Sequence, residues 1–518
     1  MTQRTTMRPK HFMRTSPILL AGTIVLTGCA VGPDFTPPAK PTETAFTGPE
    51  DAGQDAGPIA QKMITGKTIP AAWWELFESK PLNDLISKTV KHNPDLAAAE
   101  ASLRVAEENE NATDSLLMPS VSGIFSTNRQ KTSGSSFGGS FPGQLYTLHN
   151  ASVSVSYALD IFGASRRTIE AREAQTEVQR DQMEAAYVSL TANVATTAIH
   201  EASLRAQIAA TERLITAQTE QVAAMRTQLA AGAIARPVLL TAEQTLAQMR
   251  ATLPPLQQQL SAARHALSTL SGTLPNHAPA AHFELANLKL PHEVPVSLPA
   301  ELTEQRPDIR AAEANLHAAS AEIGVKLAER LPQISLSADI GSVANNMGRL
   351  FSPGSGIWSA GFSASQLIFD GGDLEHEQRA AEASFDVAAA QYRSTVLAAF
   401  QNVADSLHAL QNDAQTLVNQ QQSAQAAADS QRITKVQLDA GAISKIAYLD
   451  TVKNNETAQL SLVQAEAQRY ADTVALFQAL GGGWWNRTDD IAKLYEQTRQ
   501  EMTSNADAHD ATDTNTAH

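Results

Sequence analysis

The sequence predicts an α+β membrane protein built from an internal tandem repeat. Two similar halves follow one another along the chain. Each half contains segments in which apolar and small polar residues alternate, and each contains one helix much longer than a globular core requires. Only 5% of the 518 residues are aromatic, which favours long helices packed through small side chains over large globular cores.

The first 28 residues are predicted to be a lipoprotein signal peptide. Basic residues lie between Arg4 and Arg14, an apolar stretch covers 17–27, and the run ends in LTGC at Cys29. This order is typical of a secretory signal, and a cysteine at the cleavage point resembles a bacterial lipobox. We therefore expect Cys29 to carry covalent lipid. The alternative, a transmembrane anchor, requires about 20 apolar residues.

An internal repeat organises the middle of the chain. NPDLAAAEASL at 93–103 matches RPDIRAAEANL at 306–316, and LAAGAIA at 229–235 matches LDAGAIS at 438–444. The spacing changes only around the Gly- and Ser-rich stretch at 132–140, so the length difference lies in a loop. Each half is predicted to run helix, strand, loop, strand, long helix, turn, helix.

Composition completes the domain organisation. The segment before the repeats is rich in Pro, Gly, Thr and Asp, which is typical of an extended tether, and the last segment is polar and predicted to be disordered. In order, the predicted segments are the signal peptide (1–28), the lipid-anchored tether (29–69), the first repeat (70–291), the second repeat (292–485) and the tail (486–518).

Three segments show the alternation expected of β-strands, and a fourth, 120–130, is predicted from its match to the corresponding segment of the second repeat. In 332–342, for example, Ile334, Leu336 and Ile340 alternate with small polar residues and Asp339. Segments of about ten residues with one apolar side suit strands that cross a membrane. The alternative, a soluble two-sided sheet, fits less well because the polar side carries Ser and Gly in place of Lys and Glu. The predicted strands cover about 120–130, 148–160, 332–342 and 357–369.

Two long helices are predicted, at about 164–231 and 373–440, because neither stretch contains Pro or an internal Gly. Each would be about 100 Å long. In each repeat the two shorter helices, stacked end to end, would be as long as the long helix. This predicts a cylinder wall in which each repeat contributes one continuous helix and one helix interrupted between its two parts. The shorter helices are predicted at about 84–117, 236–271, 299–331 and 445–480.

Four strands per chain predict an oligomer. Four strands cannot close a barrel, and an open strand edge is not tolerated in lipid. Several chains must therefore pool their strands. Three chains would supply a 12-stranded transmembrane β-barrel wide enough for a lumen.

Charge and motifs argue against nucleic acid binding and catalysis. The formal net charge is −15, whereas phosphate contacts require Lys and Arg. No Ser/His/Asp grouping, phosphate loop or metal-spaced His or Cys cluster is apparent. His277, His282 and His292 fall in a Pro-rich connection and are interpreted as ordinary loop histidines. No cofactor or metal is predicted.

A set of motifs carries a family resemblance across nearly the whole mature chain. The motifs are CAVGPDF at 29–35, WWELFES at 73–79, the NPDL and RPDI repeats, YALDIFGASRR at 157–167, FDGG at 369–372 and the two AGAI sequences. Together they resemble the TolC/NodT family of outer-membrane factors. The resemblance implies a homotrimer, anchored in outer-membrane lipid, whose barrel continues into a long periplasmic α-helical coiled barrel.

The resemblance also implies a function. Such proteins form the passive exit of tripartite, RND-type efflux systems, with a periplasmic adaptor and an inner-membrane transporter as partners, and conduct small molecules or drugs. One alternative is the same fold serving type I protein secretion, whose members are often unlipidated. A second is a periplasmic adaptor, although an adaptor has one hairpin and this chain has two. An enzyme is the least favoured reading.

Two glycines mark the predicted hairpin tips. Gly232 and Gly441 follow the long helices, where a glycine cap is expected on structural grounds alone. In the family these tips form the periplasmic end that meets the adaptor.

Two acids are candidates for a periplasmic gate. Asp450 aligns with an acidic position that lines the closed aperture of TolC, and a ring of three carboxylates would favour cations. The alternative is a solvated Asp paired with Lys453. Ala447 stands where TolC carries a second acid, so Asp439 is the second candidate, unless it simply pairs with Lys435.

Overall fold

A computed structural model of the chain describes residues 30–47, 61–133, 143–277 and 282–488. The predicted signal peptide, Cys29 and nearly all of the predicted tail lie outside the described residues. The helices are α1 (Lys80–His92), α2 (Pro94–Asp114), α3 (Ala164–Ala230), α4 (Arg236–Leu270), α5 (Pro299–Gln305), α6 (Pro307–Glu329), α7 (Asp373–Asp439) and α8 (Lys445–Ala479). The strands are β1 (Lys62–Thr65), β2 (Ser120–Lys131), β3 (Leu145–Leu159), β4 (Glu293–Val296), β5 (Gln333–Ala344) and β6 (Gly356–Ser365).

The long helices have the predicted length. Both α3 and α7 contain 67 residues, and α4 and α8 return from them with 35 residues each. None of the described helices is both long and apolar enough to cross a membrane.

The four predicted strands form one antiparallel sheet in the order β2-β3-β5-β6. Its central pair joins the two repeats, because β3 of the first half pairs with β5 of the second. A second, two-stranded sheet of β1 and parallel β4 was not predicted.

The chain forms two compact units, and each unit takes residues from both repeats. We call them the sheet unit, which contains β2, β3, β5 and β6, and the helical unit, which contains most of each long helix. The sequence repeats are therefore not separate bodies in space. The sheet unit is formed by residues within 1–34, 113–170 and 320–382, and the helical unit by residues within 35–112, 171–319 and 383–518.

The predicted helices at 84–117 and 299–331 are each two helices, so those two predictions were wrong as single rods. The breaks fall at Asn93 and Arg306, whose backbone is extended (ψ 123° and 121°). Both residues precede a proline, and the proline ring disfavours helical backbone at the position before it.

The two break residues form equivalent hydrogen bonds in the two repeats. The amide Nδ2 of Asn93 donates to the carbonyl of Leu270, at the end of α4, over 2.9 Å. In the second repeat Nη1 of Arg306 donates to the carbonyl of Ala479, at the end of α8, over 2.9 Å. Because helix ends leave their last carbonyls without helical partners, each break satisfies the end of the short helix in its own repeat.

The main apolar core lies in the helical unit. Trp73 and Phe77, from the WWELFES motif, are fully buried, and the ring of Trp73 lies 5.3 Å from that of Phe477 on α8. Burying an aromatic side chain of this size removes 150–250 Å² from water, so this motif anchors the segment before α1.

The end of the predicted tether differs from an extended linker. β1 pairs with β4, Ile69 is fully buried, and Asn486 Nδ2 donates to the Ile69 carbonyl over 2.6 Å. Composition identified the polar stretch but not this pairing, because the two strands have four residues each and lie far apart in sequence. Asn486 also begins the predicted tail, so the packed region extends slightly past 485.

Candidate functional site

The four-stranded sheet has one apolar face. The register places Val153 beside Ile340 and Ile340 beside Trp358, so these side chains lie on the same face. Trp358 is 79% exposed and Ile340 67%. An apolar surface of this kind on a sheet marks a partner or a membrane rather than water.

The opposite face carries small polar residues and one acid. Asp339 of β5 accepts hydrogen bonds from the hydroxyl groups of Ser154 on β3 and Ser359 on β6, the latter over 3.1 Å. No other Asp or Glu occurs in the four strands. This face therefore carries hydroxyl groups and a single carboxylate.

The FDGG motif forms the predicted strand-to-helix turn before α7. Gly371 and Gly372 have φ of +72° and +96°, a backbone conformation that glycine adopts without strain. The carboxylate of Asp370 accepts from the backbone N–H groups of Gly372 (2.8 Å) and Leu374 (3.1 Å). These donors lower the pKa of Asp370 and satisfy the start of the helix.

Both hairpin tips end in glycine caps, as predicted. Gly232 and Gly441 have φ of +74° and +71°. After each glycine, the next N–H bonds back to a carbonyl five positions earlier, Ala233 to Gln228 and Ala442 to Gln437, both over 2.8 Å. This is the Schellman arrangement. The capping role is confirmed, and the structure leaves open space around both glycines.

Asp450, the first gate candidate, lies on α8 and contacts α3. Its Oδ1 accepts from Gln221 Nε2 over 2.9 Å and lies 3.5 Å from Lys453 Nζ. The side chain is 50% exposed. Asp450 thus makes the pair with Lys453 that the alternative interpretation required, and also a bond between helices that the sequence did not indicate.

Asp439, the second candidate, lies at the end of α7. Its Oδ1 is 2.6 Å from Lys435 Nζ one turn earlier, and Lys435 also lies over the ring of Tyr448, 5.7 Å from its centre. The local ion pair considered from sequence is therefore present. It offsets the unfavourable placement of an acid at a helix C-terminus.

Polar contacts join α3 to α8 on both sides of Asp450, and we call them the seam. Besides the Gln221–Asp450 bond, Glu220 lies 3.3 Å from Lys445, and Arg213 lies 2.7 Å from Glu456. The seam was missed by sequence reasoning, because more than 220 positions separate its partners and none belongs to a motif.

The residues that follow Cys29 are fixed by a buried arginine. Arg167, on the first turn of α3, is 5% exposed and donates to the carbonyls of Val31 (3.2 Å) and Gly32 (3.4 Å). It also pairs with Asp34 and Glu170, each over 2.7 Å. The CAVGPDF and YALDIFGASRR motifs therefore meet in space.

One buried acid of the helical unit forms an ion pair across helices. Asp181 is 3% exposed and lies 3.2 Å from Arg310; burial raises its pKa to about 6. His282, one of the loop histidines, accepts from Arg205 over 2.8 Å. Within the described ranges, no group of three or more His, Cys, Asp or Glu could hold a metal ion.

The outer membrane efflux protein family model matches residues 85–273 and 298–482, which is most of both repeats. The chain belongs to this family. The long helices and the apolar-faced sheet agree with this membership, and the predicted location in the bacterial outer membrane is confirmed. The adaptor alternative is excluded by this membership.

Relatives in this family match nearly end to end. The solvent efflux pump outer membrane protein SrpC of Pseudomonas putida is 28% identical over 481 residues, covering 91% of this chain and 99% of that protein. The cation efflux system protein CusC of Escherichia coli O6:H1 is 26% identical, covering 89% of this chain and 97% of that protein.

Solved structures share the fold. The outer-membrane channel OprN is 27% identical with a TM-score of 0.78, covering 88% of this chain and all of that chain. The CmeC channel of Campylobacter jejuni is 22% identical with a TM-score of 0.79, covering 91% of this chain and 98% of that chain. The fold of the chain is that of outer-membrane efflux channels.

Proposed function

We propose that three copies of the chain form a passive duct that carries small molecules out of the cell. Each copy contributes four strands to a 12-stranded barrel in the outer membrane, and the helices continue it as a periplasmic tunnel. The observation that carries this proposal is the sheet, which has one exposed apolar face and two outer strands, β2 and β6, without a second neighbour among the described residues.

Closure through other copies follows from the chemistry of these edges. In lipid an unpaired backbone N–H or C=O costs several kcal/mol, and β2 and β6 are 12 and 10 residues long. Pairing β6 of one copy with β2 of the next removes both edges. With the apolar face toward lipid, the face with Ser154, Asp339 and Ser359 lines the lumen.

The partners follow from the length of the helices. A 67-residue helix reaches about 100 Å, far more than is needed to support a barrel. We assign the hairpin tips at Gly232 and Gly441 to contact with a periplasmic adaptor, which connects the duct to an inner-membrane transporter. We assign no catalytic step to the chain; the transporter supplies the energy.

Small molecules are the cargo we favour. The relatives are named for the efflux of solvents, toluene, antibiotics and cations. A lumen face of hydroxyl groups, with Asp339 as its acid, gives little basis for selecting one molecule over another, which suits a duct fed by a selective transporter. Type I protein secretion remains the second candidate, and deleting the gene from its native host separates the two by drug sensitivity or by loss of a secreted protein.

Lipidation and gating complete the proposal. We place a covalent lipid on Cys29, which precedes in sequence the segment whose Val31 and Gly32 carbonyls accept hydrogen bonds from Arg167. We place the gate near Asp450, with Asp439 as the second acid. The α3–α8 seam supports this position, because it links the two hairpins of one chain at the height of Asp450.

Cysteine cross-linking tests the barrel directly, because Cys29 is the only native cysteine. Phe125→Cys is combined in turn with Trp358→Cys, Ala360→Cys and Phe362→Cys. Within one chain β2 and β6 are three strand spacings apart, about 14 Å, too far for a disulfide. At least one pair is expected to give covalent dimers and trimers under oxidation, while each single variant gives at most a dimer. Monomers throughout, together with a monodisperse monomer that retains β-sheet circular dichroism, would refute the barrel.

A further inference from the structure

The sheet segments carry a charge pattern opposite to that of the rest of the chain. The whole chain has a net charge of −15, yet residues 120–159 and 333–365 contain three basic residues, Arg129, Lys131 and Arg349, and one acid, Asp339. All three basic residues lie at the end of the sheet opposite the strand ends that connect to α2, α3, α6 and α7, since Arg129 and Lys131 lie in the last three residues of β2 and Arg349 lies between β5 and β6.

Two of these residues continue the apolar face. The register places Arg129 beside Thr147 and Lys131 beside Leu145, and both have the same parity on β2 as Phe125. They therefore stand on the same side of the sheet as Phe125 and Trp358, and both are exposed. Asp339, the acid of the strands, lies on the opposite face and offers neither of them a partner.

Their height relative to the apolar face can be worked out from the strand. From Leu159 to Thr147, the neighbour of Arg129, β3 advances about 41 Å along its axis. With a barrel tilt of about 40° this is about 31 Å along the membrane normal, whereas the apolar band of such barrels is about 25 Å tall. The row of Phe125 and Ala151 lies about 21 Å from Leu159 along the membrane normal. An apolar band that starts at Leu159 therefore ends between Phe125 and Arg129.

We propose that Arg129 and Lys131 form a binding surface for the phosphate groups of outer-leaflet lipid headgroups. The inference rests on the proposed function, which places this end of the sheet at the cell exterior. Outward-facing cations just beyond an apolar band meet headgroups rather than water, and a guanidinium matches phosphate geometry through two parallel hydrogen bonds. The surface lies on edge strand β2 and would occur three times around a trimer.

The test compares two double variants with the same change of charge. Arg129→Gln/Lys131→Gln removes the surface, and Lys88→Gln/Lys91→Gln removes two exposed lysines of α1 in the helical unit. Purified full-length protein in a neutral detergent is titrated with diphosphoryl lipid A, with lipid A stripped of its phosphates, and with inorganic phosphate alone. Trimer content and thermal melting are measured on the same samples without lipid.

The wild type and the α1 variant are expected to bind diphosphoryl lipid A alike, and to bind the stripped lipid and free phosphate much more weakly. The Arg129/Lys131 variant should bind diphosphoryl lipid A about 25-fold more weakly, since each cation contributes about a factor of five near an anionic surface. Unchanged binding, or equal loss in the α1 variant, would overturn the proposal. So would a lower lipid-free melting temperature of the Arg129/Lys131 trimer, because the two residues would then contact a neighbouring subunit. Failure of the wild type to form trimers would refute the proposed function instead.

Discussion

Neutralising Asp450 is expected to loosen the periplasmic gate and change its ion selectivity. Asp450 lies nine residues after Gly441, about 14 Å up the hairpin, where three symmetry copies would face one another across the opening. In Asp450→Asn the hydrogen bond from Gln221 can persist, but the carboxylate charge is lost. The variant therefore removes the charge of the ring and keeps a weaker form of the contact between α8 and α3.

The size of the effect follows from the contacts. The Asp450–Lys453 pair lies within α8 and is the same in the open and closed gate, so it does not change the open-to-closed ratio. The hydrogen bond from Gln221 joins α8 to α3 and weakens by about 1 kcal/mol when its acceptor becomes neutral. This loss corresponds to a roughly fivefold rise in the open-to-closed ratio. Trimer stability should be nearly unchanged, because the site is half exposed.

Single-channel recording in planar bilayers provides the assay. The wild type should show low conductance, cation preference and block by divalent cations, and Asp450→Asn should weaken the preference and the block. Glu456→Gln is the control, since it weakens the seam at Arg213 without altering the charge of the ring. It should raise the open probability and leave selectivity alone. If selectivity and divalent block are identical in Asp450→Asn and wild type, Asp450 is a solvated helix residue and the gate lies elsewhere.

Three further predictions concern other parts of the chain. Cys29→Ser should abolish metabolic labelling with palmitate while some assembly survives through the barrel; continued labelling would contradict the lipoprotein assignment. Arg167→Ala should destabilise the protein by about 3 kcal/mol, because it removes the hydrogen bonds to two carbonyls and the ion pairs with Asp34 and Glu170. A melting temperature equal to that of the wild type would show that these contacts are dispensable. Asp181 has a folded pKa of about 6, above its usual 3.8. Its contribution to folding stability is therefore fully present below about pH 4 and is lost as the pH rises to about 6, by roughly 3 kcal/mol. Melting curves from pH 4 to 8 should show a smaller decline in Asp181→Asn than in the wild type, and parallel curves would exclude Asp181 as the source of the decline.

Local signals in the sequence predicted most of the secondary structure. The period-two pattern located β5 and β6, and the match between repeats located β2, whose own alternation is weak. The glycines at 232 and 441 predicted both hairpin tips, since an ended helix needs a left-handed residue. Asn93 and Arg306 were part of the motifs that revealed the repeat, yet the proline after each was not interpreted as a helix start, so two helices in each repeat were predicted as one.

Long-range contacts could not be predicted in this way. β1 and β4 have four residues each and no alternation that distinguishes them from loop. The Arg167 contacts join two motifs that were noted separately, and a motif match does not indicate which of its residues touch. The seam partners of Asp450 and Glu456 lie on an ordinary polar helix surface, where nothing marks Gln221 or Arg213 among many similar residues.

The pairing of β3 with β5 has a consequence for biogenesis. Leu159 and its neighbour Ile334 are 175 positions apart in the chain, so the centre of the sheet cannot form until the second repeat has left the ribosome and crossed the inner membrane. At about 5–20 residues per second, β3 waits roughly 9–35 s without its second neighbour β5. Contacts this distant in sequence also form slowly, and such exposed strands aggregate readily. We therefore expect the nascent first repeat to need protection from aggregation in transit, for a time that grows with the length of the chain between the two strands.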